Sequence, residues 1–220
     1  MNATEDKPAK AGLEELERRV IAMGNMVESL FADSAMALIE SSSATVPQMR
    51  TEDRRAHERW LEIDKLCVEL LTMGDLTAEQ VRSVWAAARI AGALKRAADE
   101  SLRIGESLRS CLAAGAVEAT SLASIPRLAA LAQSMLGDAI EALANRDAAE
   151  AATLRQTFRE LTSLSSLATQ ELTERLTAGE IGMPVGAVCL GVAQRLERIG
   201  DEVLDISNQV NHIYRQNQSS

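Results

Sequence analysis

Leu13, Leu16, Val20, Met23, Val27 and Leu30 follow one another at alternating spacings of three and four residues, and Leu38 extends the row. Apolar positions at that interval fall on one side of a helix and form a seam for neighbouring helices. The pattern predicts a first helix that begins after Gly12 and stops in the polar run ESSSAT at 40–45. Pro47 opens a second helix, since proline is tolerated in a first turn where its missing N–H is not needed. Leu61, Leu66, Cys67, Leu70 and Leu71 carry that helix to about Met73. Thr77 and Gln80 are spaced as a capping box at the head of an alanine-rich third helix reaching roughly Cys111. Pro126 and Pro184 mark two later starts, and Asp147 with Glu150 gives another capping box between the fourth and fifth helices. In the sixth helix Val185, Val188, Val192, Leu196, Ile199, Val203, Ile206, Val210 and Ile213 share one side.

Short connections make successive helices antiparallel. The order long, medium, long occurs twice, and the halves match locally. LKRAAD at 94–99 resembles LERIGD at 196–201, 102 residues later, and ADSAMAL at 32–38 resembles GDAIEAL at 137–143, 105 residues later. Like offsets in the same order point to a duplicated three-helix unit, and two units are too few for a solenoid. The expected fold is therefore all-α, a tandem repeat of two antiparallel three-helix bundles. The first repeat is placed at 12–115 and the second at 122–216, with a disordered N-terminus at 1–11 and a frayed C-terminal end.

Composition agrees. Hydrophobic residues make up 46% of the 220, yet aromatics only 2%, so the core is built from Leu, Ala, Val, Ile and Met, the residues of packed helices. Met23, Met26, Met36, Met135 and Met183 read mostly as core filler, and Trp60 and Trp85 as packed between the second and third helices. A net charge of −9 disfavours nonspecific binding to nucleic acid or anionic lipid. The three cysteines lack any Cys-x-x-Cys spacing, and Cys67 and Cys189 lie in apolar runs as reduced core thiols. No apolar h-region and no run near the ~20 residues that span a bilayer is evident, so a cytoplasmic protein without membrane insertion is expected. Gly-rich phosphate loops, Gly-x-Ser-x-Gly and His-Glu-x-x-His are missing, which argues against an enzyme.

The chemistry that stands out is a stripe of acids on the sixth helix. Glu197, Asp201 and Asp205 recur every four residues and line one face. Glu197 and Asp201 are about 6 Å apart along the axis and can share an ion, whereas Glu197 and Asp205 are roughly 12 Å apart and cannot. If Ile199, Val203, Ile206 and Val210 form the seam, Asp201 lies on the opposite side. The stripe is then a solvated face, a partner surface or part of a metal site, and a lone helix supplies few of the six or more oxygens that a hard cation takes. In the first repeat the same positions are Lys95, Asp99 and Arg103, carrying +1 against −3. Spaced by four, these three can form an exposed ion-pair ladder worth about 0.3–0.5 kcal/mol per pair.

LERIGD at 196–201, VIAMGNMVESLFADSAMAL at 20–38 and LTAEQVR at 76–82 together resemble the PhoU phosphate-signalling regulators, over about 13–213 in order. That resemblance implies two three-helix repeats, each with a Glu/Asp-x-x-x-Asp motif in its third helix. It implies a cytoplasmic, often homodimeric adaptor that contacts the ATPase of the phosphate ABC transporter and a membrane sensor histidine kinase to restrain the phosphate-starvation response. No cofactor is required, but some relatives bind Fe, Zn or other divalent ions such as Mg at the acidic motifs. The metal candidates are accordingly Glu197, Asp201 and Asp205 in the second repeat, with Asp53, His57 and Asp99 in the first. Counterparts of Asp53 and His57 in the second repeat fall near Phe158 and Thr162, which do not suit a hard cation. Lys95 and Arg103 would then do for Asp99 what a bound metal does elsewhere. Metal storage, and a PhoU-fold scaffold with a non-phosphate client, are the alternative functions.

Overall fold

The structure, a computed structural model, describes residues 6–74, 76–113 and 124–217. Among these residues six helices follow in order: α1 (Asp6–Glu40), α2 (Val46–Thr72), α3 (Ala78–Ala113), α4 (Ser124–Asn145), α5 (Ala148–Thr177) and α6 (Met183–Asn217). The expected repeat limits at 115 and 122 lie outside the described residues, as do 1–5 of the expected N-terminal tail and 218–220. Residues 6–11, expected to be disordered, are helical instead. α1 thus begins well ahead of Leu13, the first seam residue, and Ala9 is already buried.

The seam residues behave as their spacing requires. Leu16, Val20, Met23, Val27, Leu30 and Leu38 are all buried, as are Val192, Leu196, Ile199, Val203, Ile206 and Val210 on α6. Thr77 and Gln80 form the reciprocal capping box: Gln80 N–H donates to Thr77 Oγ1 at 3.2 Å, and Thr77 N–H donates to Gln80 Oε1 at 2.8 Å. Asp147 caps α5 by accepting from the N–H groups of Ala149 and Glu150 at 2.8 and 2.9 Å. Core filler is the right description of Met23 and Met135 but not of Met36 and Met183, which are exposed. All three cysteines are buried and free of disulfides, and burial pushes the Cys67 and Cys189 thiols up to about 11.

The duplication is written into the backbone. Four residues of the described chain have positive φ: Ser41, Gly74, Arg146 and Gly179. Ser41 and Arg146 are 105 residues apart, and so are Gly74 and Gly179. Each follows the corresponding helix of its repeat in the left-handed conformation that closes a helix C-terminus. The closing bonds repeat too: Ser42 N–H to the Ala37 carbonyl at 3.1 Å, and Asp147 N–H to the Ala142 carbonyl at 2.9 Å. After α1 and α4 the left-handed residue is not a glycine; after α2 and α5 it is.

Each repeat packs its own three helices together, and the repeats meet through α3 against α6 and α1 against α4. Buried side chains from both halves join one continuous core. Close approach of α1 and α4 depends on Gly24, where a Cβ would sit 3.1–3.4 Å from the Ile140 side chain. In α6, a Cβ on Gly200 would land 2.2 Å from Leu161 and 3.3 Å from Phe158 of α5. That glycine lies inside the LERIGD segment, so part of the segment's character is helix packing.

Candidate functional site

α3 and α6 run antiparallel, and the two segments that resemble each other in sequence face each other across the junction of the repeats. Arg96 of α3 donates to Glu202 of α6 at 2.6–2.7 Å. Arg198 of α6 lies 3.6 Å from Glu100 of α3. Arg96 and Arg198 are 102 residues apart, and so are Glu100 and Glu202, which is the offset between the two segments. These bridges are thus one contact made twice, with the roles exchanged, as in an isologous interface between identical subunits. Arg195 at 2.7 Å and Arg103 at 2.8 Å complete the set around Glu100, whose side chain is only 9% exposed. A carboxylate that deep needs such partners, because an unpaired buried charge is strongly disfavoured.

Outside this seam, positions 95 and 197 meet the second helix of their own repeat. In the first repeat Lys95 Nζ reaches Asp53 of α2 at 3.3 Å and Asp99, one turn further along α3, at 2.5 Å. Its side chain is 13% exposed. Arg103 does not extend the expected ladder. It turns to Glu100, three residues before it, because Glu100 is the more deeply buried acid. His57 is exposed and meets the half-buried Trp60 at 5.5 Å between ring centroids, without joining Asp53.

In the second repeat the position of Lys95 is taken by Glu197, and its α5 partner is a hydroxyl: Ser165 Oγ donates to Glu197 Oε2 at 2.7 Å. The expected counterparts Phe158 and Thr162 do not meet the acids of the motif. Phe158 packs against the α5–α6 contact at Gly200, and Thr162 Oγ1 donates back to the Arg159 carbonyl within α5. Polarity is therefore exchanged at this position of the third helix, and the α5 residue that meets it, Ser165, is not the counterpart of Asp53. A cation faces a carboxylate in the first repeat, and a carboxylate faces a hydroxyl donor in the second.

Asp201 is exposed, as the seam register requires. Partial desolvation, and then Glu197, Glu202 and Asp205, hold its carboxyl above the usual aspartate range. Asp205 is within 3.8 Å of Arg89 and 3.9 Å of Arg96, both on α3. The stripe is consequently graded: Glu197 is held by α5, Asp205 leans toward α3, and Asp201 faces outward.

The donor geometry at these positions is not that of a metal site. Among the described residues no group of three or more His, Cys, Asp or Glu side chains is placed to hold an ion. Asp53 and Asp99 already share an ammonium, and Glu197 accepts a bond from the Ser165 hydroxyl. As placed among the described residues, these side chains do not form a metal site.

Two surface features carry no signal in the sequence pattern. Trp85, expected between helices, is 65% exposed, with Val81 one turn before it at 40%. Its neighbour Val84 takes the buried position instead, and the Val84 carbonyl accepts from the Cys67 thiol. A cavity of about 390 Å³ opens between α1, α3 and the ends of α4 and α6, floored by Leu16, Val20, Ile90 and Leu143. At its rim Glu17 accepts from two Arg146 guanidinium nitrogens, at 2.9 and 2.7 Å, and from Tyr214 at 2.9 Å. That cluster ties the turn after α4, and α6, to α1.

Known proteins share this fold. The crystal structure of PhoU from Pseudomonas aeruginosa superposes with a TM-score of 0.86 at 24% identity, covering 94% of this chain and 99% of that one. The phosphate transport system regulatory protein PhoU from Streptococcus pneumoniae matches with a TM-score of 0.83 at 19% identity, covering 93% and 96%. In sequence, the phosphate-specific transport system accessory protein PhoU homolog of Pseudomonas putida is 28% identical over 215 residues, 93% of this chain and 80% of the relative. The PhoU protein of Escherichia coli is 24% identical over 202 residues, 89% and 80%. The PhoU domain model matches twice, at 20–108 and 125–210, once on each three-helix repeat. With both halves matched and the fold shared, the chain belongs to the PhoU family.

Proposed function

We propose that the chain is a non-enzymatic cytoplasmic regulator of phosphate uptake and phosphate-starvation signalling, a homodimer that acts through helix-surface contacts. Its partners in this reading are the ATPase of the phosphate ABC transporter and a membrane sensor histidine kinase. The observation that carries the reading is the double match of the PhoU domain, one to each repeat, together with relatives named as phosphate-specific transport system accessory proteins. The charge distribution supports a docking role. The acids of the α6 stripe are held at their margins by Ser165, Arg89 and Arg96, which leaves Asp201 between them on the surface. No described helix is long and apolar enough to cross a membrane, in keeping with a protein that meets the transporter from outside the bilayer.

The test is deletion of the gene followed by measurement of a phosphate-starvation reporter in phosphate-replete medium. Expression should rise in the deletion strain and return to the wild-type level on complementation. An unchanged reporter would remove phosphate control from the reading and favour a different client. Near-stoichiometric iron or zinc that stays with the purified protein through buffer exchange would favour storage instead.

A further inference from the structure

Without Lys95, α2 and α3 would bring two carboxylates toward each other with nothing between them. Asp53 comes from α2 and Asp99 from the next turn of α3, and the ammonium contacts both, at 3.3 and 2.5 Å. The Lys95 side chain is 13% exposed and that of Asp53 20%, so this is a sheltered cation rather than a solvated one. A lysine ammonium is a compact point charge with three donors, able to bridge oxygens on different helices. The second repeat has no such residue at the equivalent position. Glu197 stands there, and it accepts a bond from Ser165.

We propose that Lys95 is a built-in cation: its ammonium occupies the seat between α2 and α3 where a divalent ion could otherwise cross-link Asp53 and Asp99, so the first repeat is locked without metal. The asymmetry between the repeats then has a physical content. The first repeat is self-neutralised and insensitive to divalent ions, whereas the second carries a further carboxylate where the first carries its cation. Removing the ammonium removes a cross-link between helices. Replacing it with a carboxylate turns the same seat into a three-carboxylate pocket.

The experiment uses the full chain with Glu197→Gln, Asp201→Asn and Asp205→Asn, so that only the first repeat reports. Melting temperature and bound manganese are measured in chelator and in excess Mn²⁺ for this parent, for Lys95→Met and for Lys95→Glu. The parent should bind no manganese and melt at one temperature in both conditions. Lys95→Met should melt lower by about 2–4 °C, the shift that loss of one modest interaction produces in a chain of this size. Lys95→Glu should melt lower still in chelator, bind about one manganese per chain and recover most of the loss when Mn²⁺ is added. If Lys95→Glu is too unstable to purify in chelator, purification in Mn²⁺ with metal content as the readout replaces the melting comparison. A Lys95→Met variant as stable as the parent would overturn the cross-link. Manganese bound by the parent, or a Lys95→Glu variant that neither binds the ion nor gains stability from it, would overturn the seat.

Discussion

Asp201 holds its proton more readily in the folded protein than in the unfolded chain, because partial desolvation and three neighbouring acids disfavour its charged form. The sign follows from linkage. With the folded pKa above the unfolded one, the ionised side chain costs stability at neutral pH, and the cost lifts as pH falls through the raised value. Asp201→Asn should therefore raise stability at pH 7, by no more than about 0.5 kcal/mol at so exposed a site. The gain should shrink at acidic pH, as the wild-type carboxyl takes up its proton below the raised value. Urea midpoints at neutral and acidic pH check this, and a gain that persists in acid would mean the neighbouring charges are not its cause. The facing of Asp201 is legible in the sequence, since a four-residue spacing opposite an apolar seam leaves one direction only. Ser165 is not legible. Its meeting with Glu197 depends on how far α5 slides against α6, because α2 and α5 correspond at an offset of 105 residues whereas the α3 and α6 segments correspond at 102. Trp85 escapes for a similar reason: large apolar side chains are usually buried, but here Val84 holds the inward position on α3 and turns the next residue outward.

α3 and α6 divide the motif between different sides of the same helices. Arg96, Glu100, Arg198 and Glu202 staple the repeats together, while positions 95 and 197 engage α2 and α5. A pattern that looks like one binding motif in sequence is thus split between assembly and surface. Arg96→Glu and Glu202→Arg should each destabilise the protein by about 1–2 kcal/mol, since Glu202 is 18% exposed and either change sets like charges together. The double exchange should recover more than half of the loss in a double-mutant cycle. Strict additivity of the two losses would show that Arg96 and Glu202 do not act on each other. Helix existence and order are legible throughout, because seam spacing, prolines and capping residues all signal locally. The start of α1 is not: before Leu13 only the small Ala9 continues the seam spacing, a weak signal among polar residues, and yet it is buried.

Across both halves, two copies of one unit share a continuous core and differ in the charge they present. Closing bonds at equivalent helix ends and reciprocal bridges between α3 and α6 keep the halves alike. Lys95 against Glu197 makes them unlike, and the second half's acids are the ones left for a partner. The functional reading stands or falls on docking by that face, which binding of the purified protein to the phosphate transporter ATPase would reveal. Wild-type protein should bind saturably, and Glu197→Gln, Asp201→Asn and Asp205→Asn together should weaken binding at least about tenfold, equivalent to 1.4 kcal/mol. The loss should shrink in high salt, which screens exposed charge. Equal binding by wild type and the triple variant, with both fully folded, would contradict that reading.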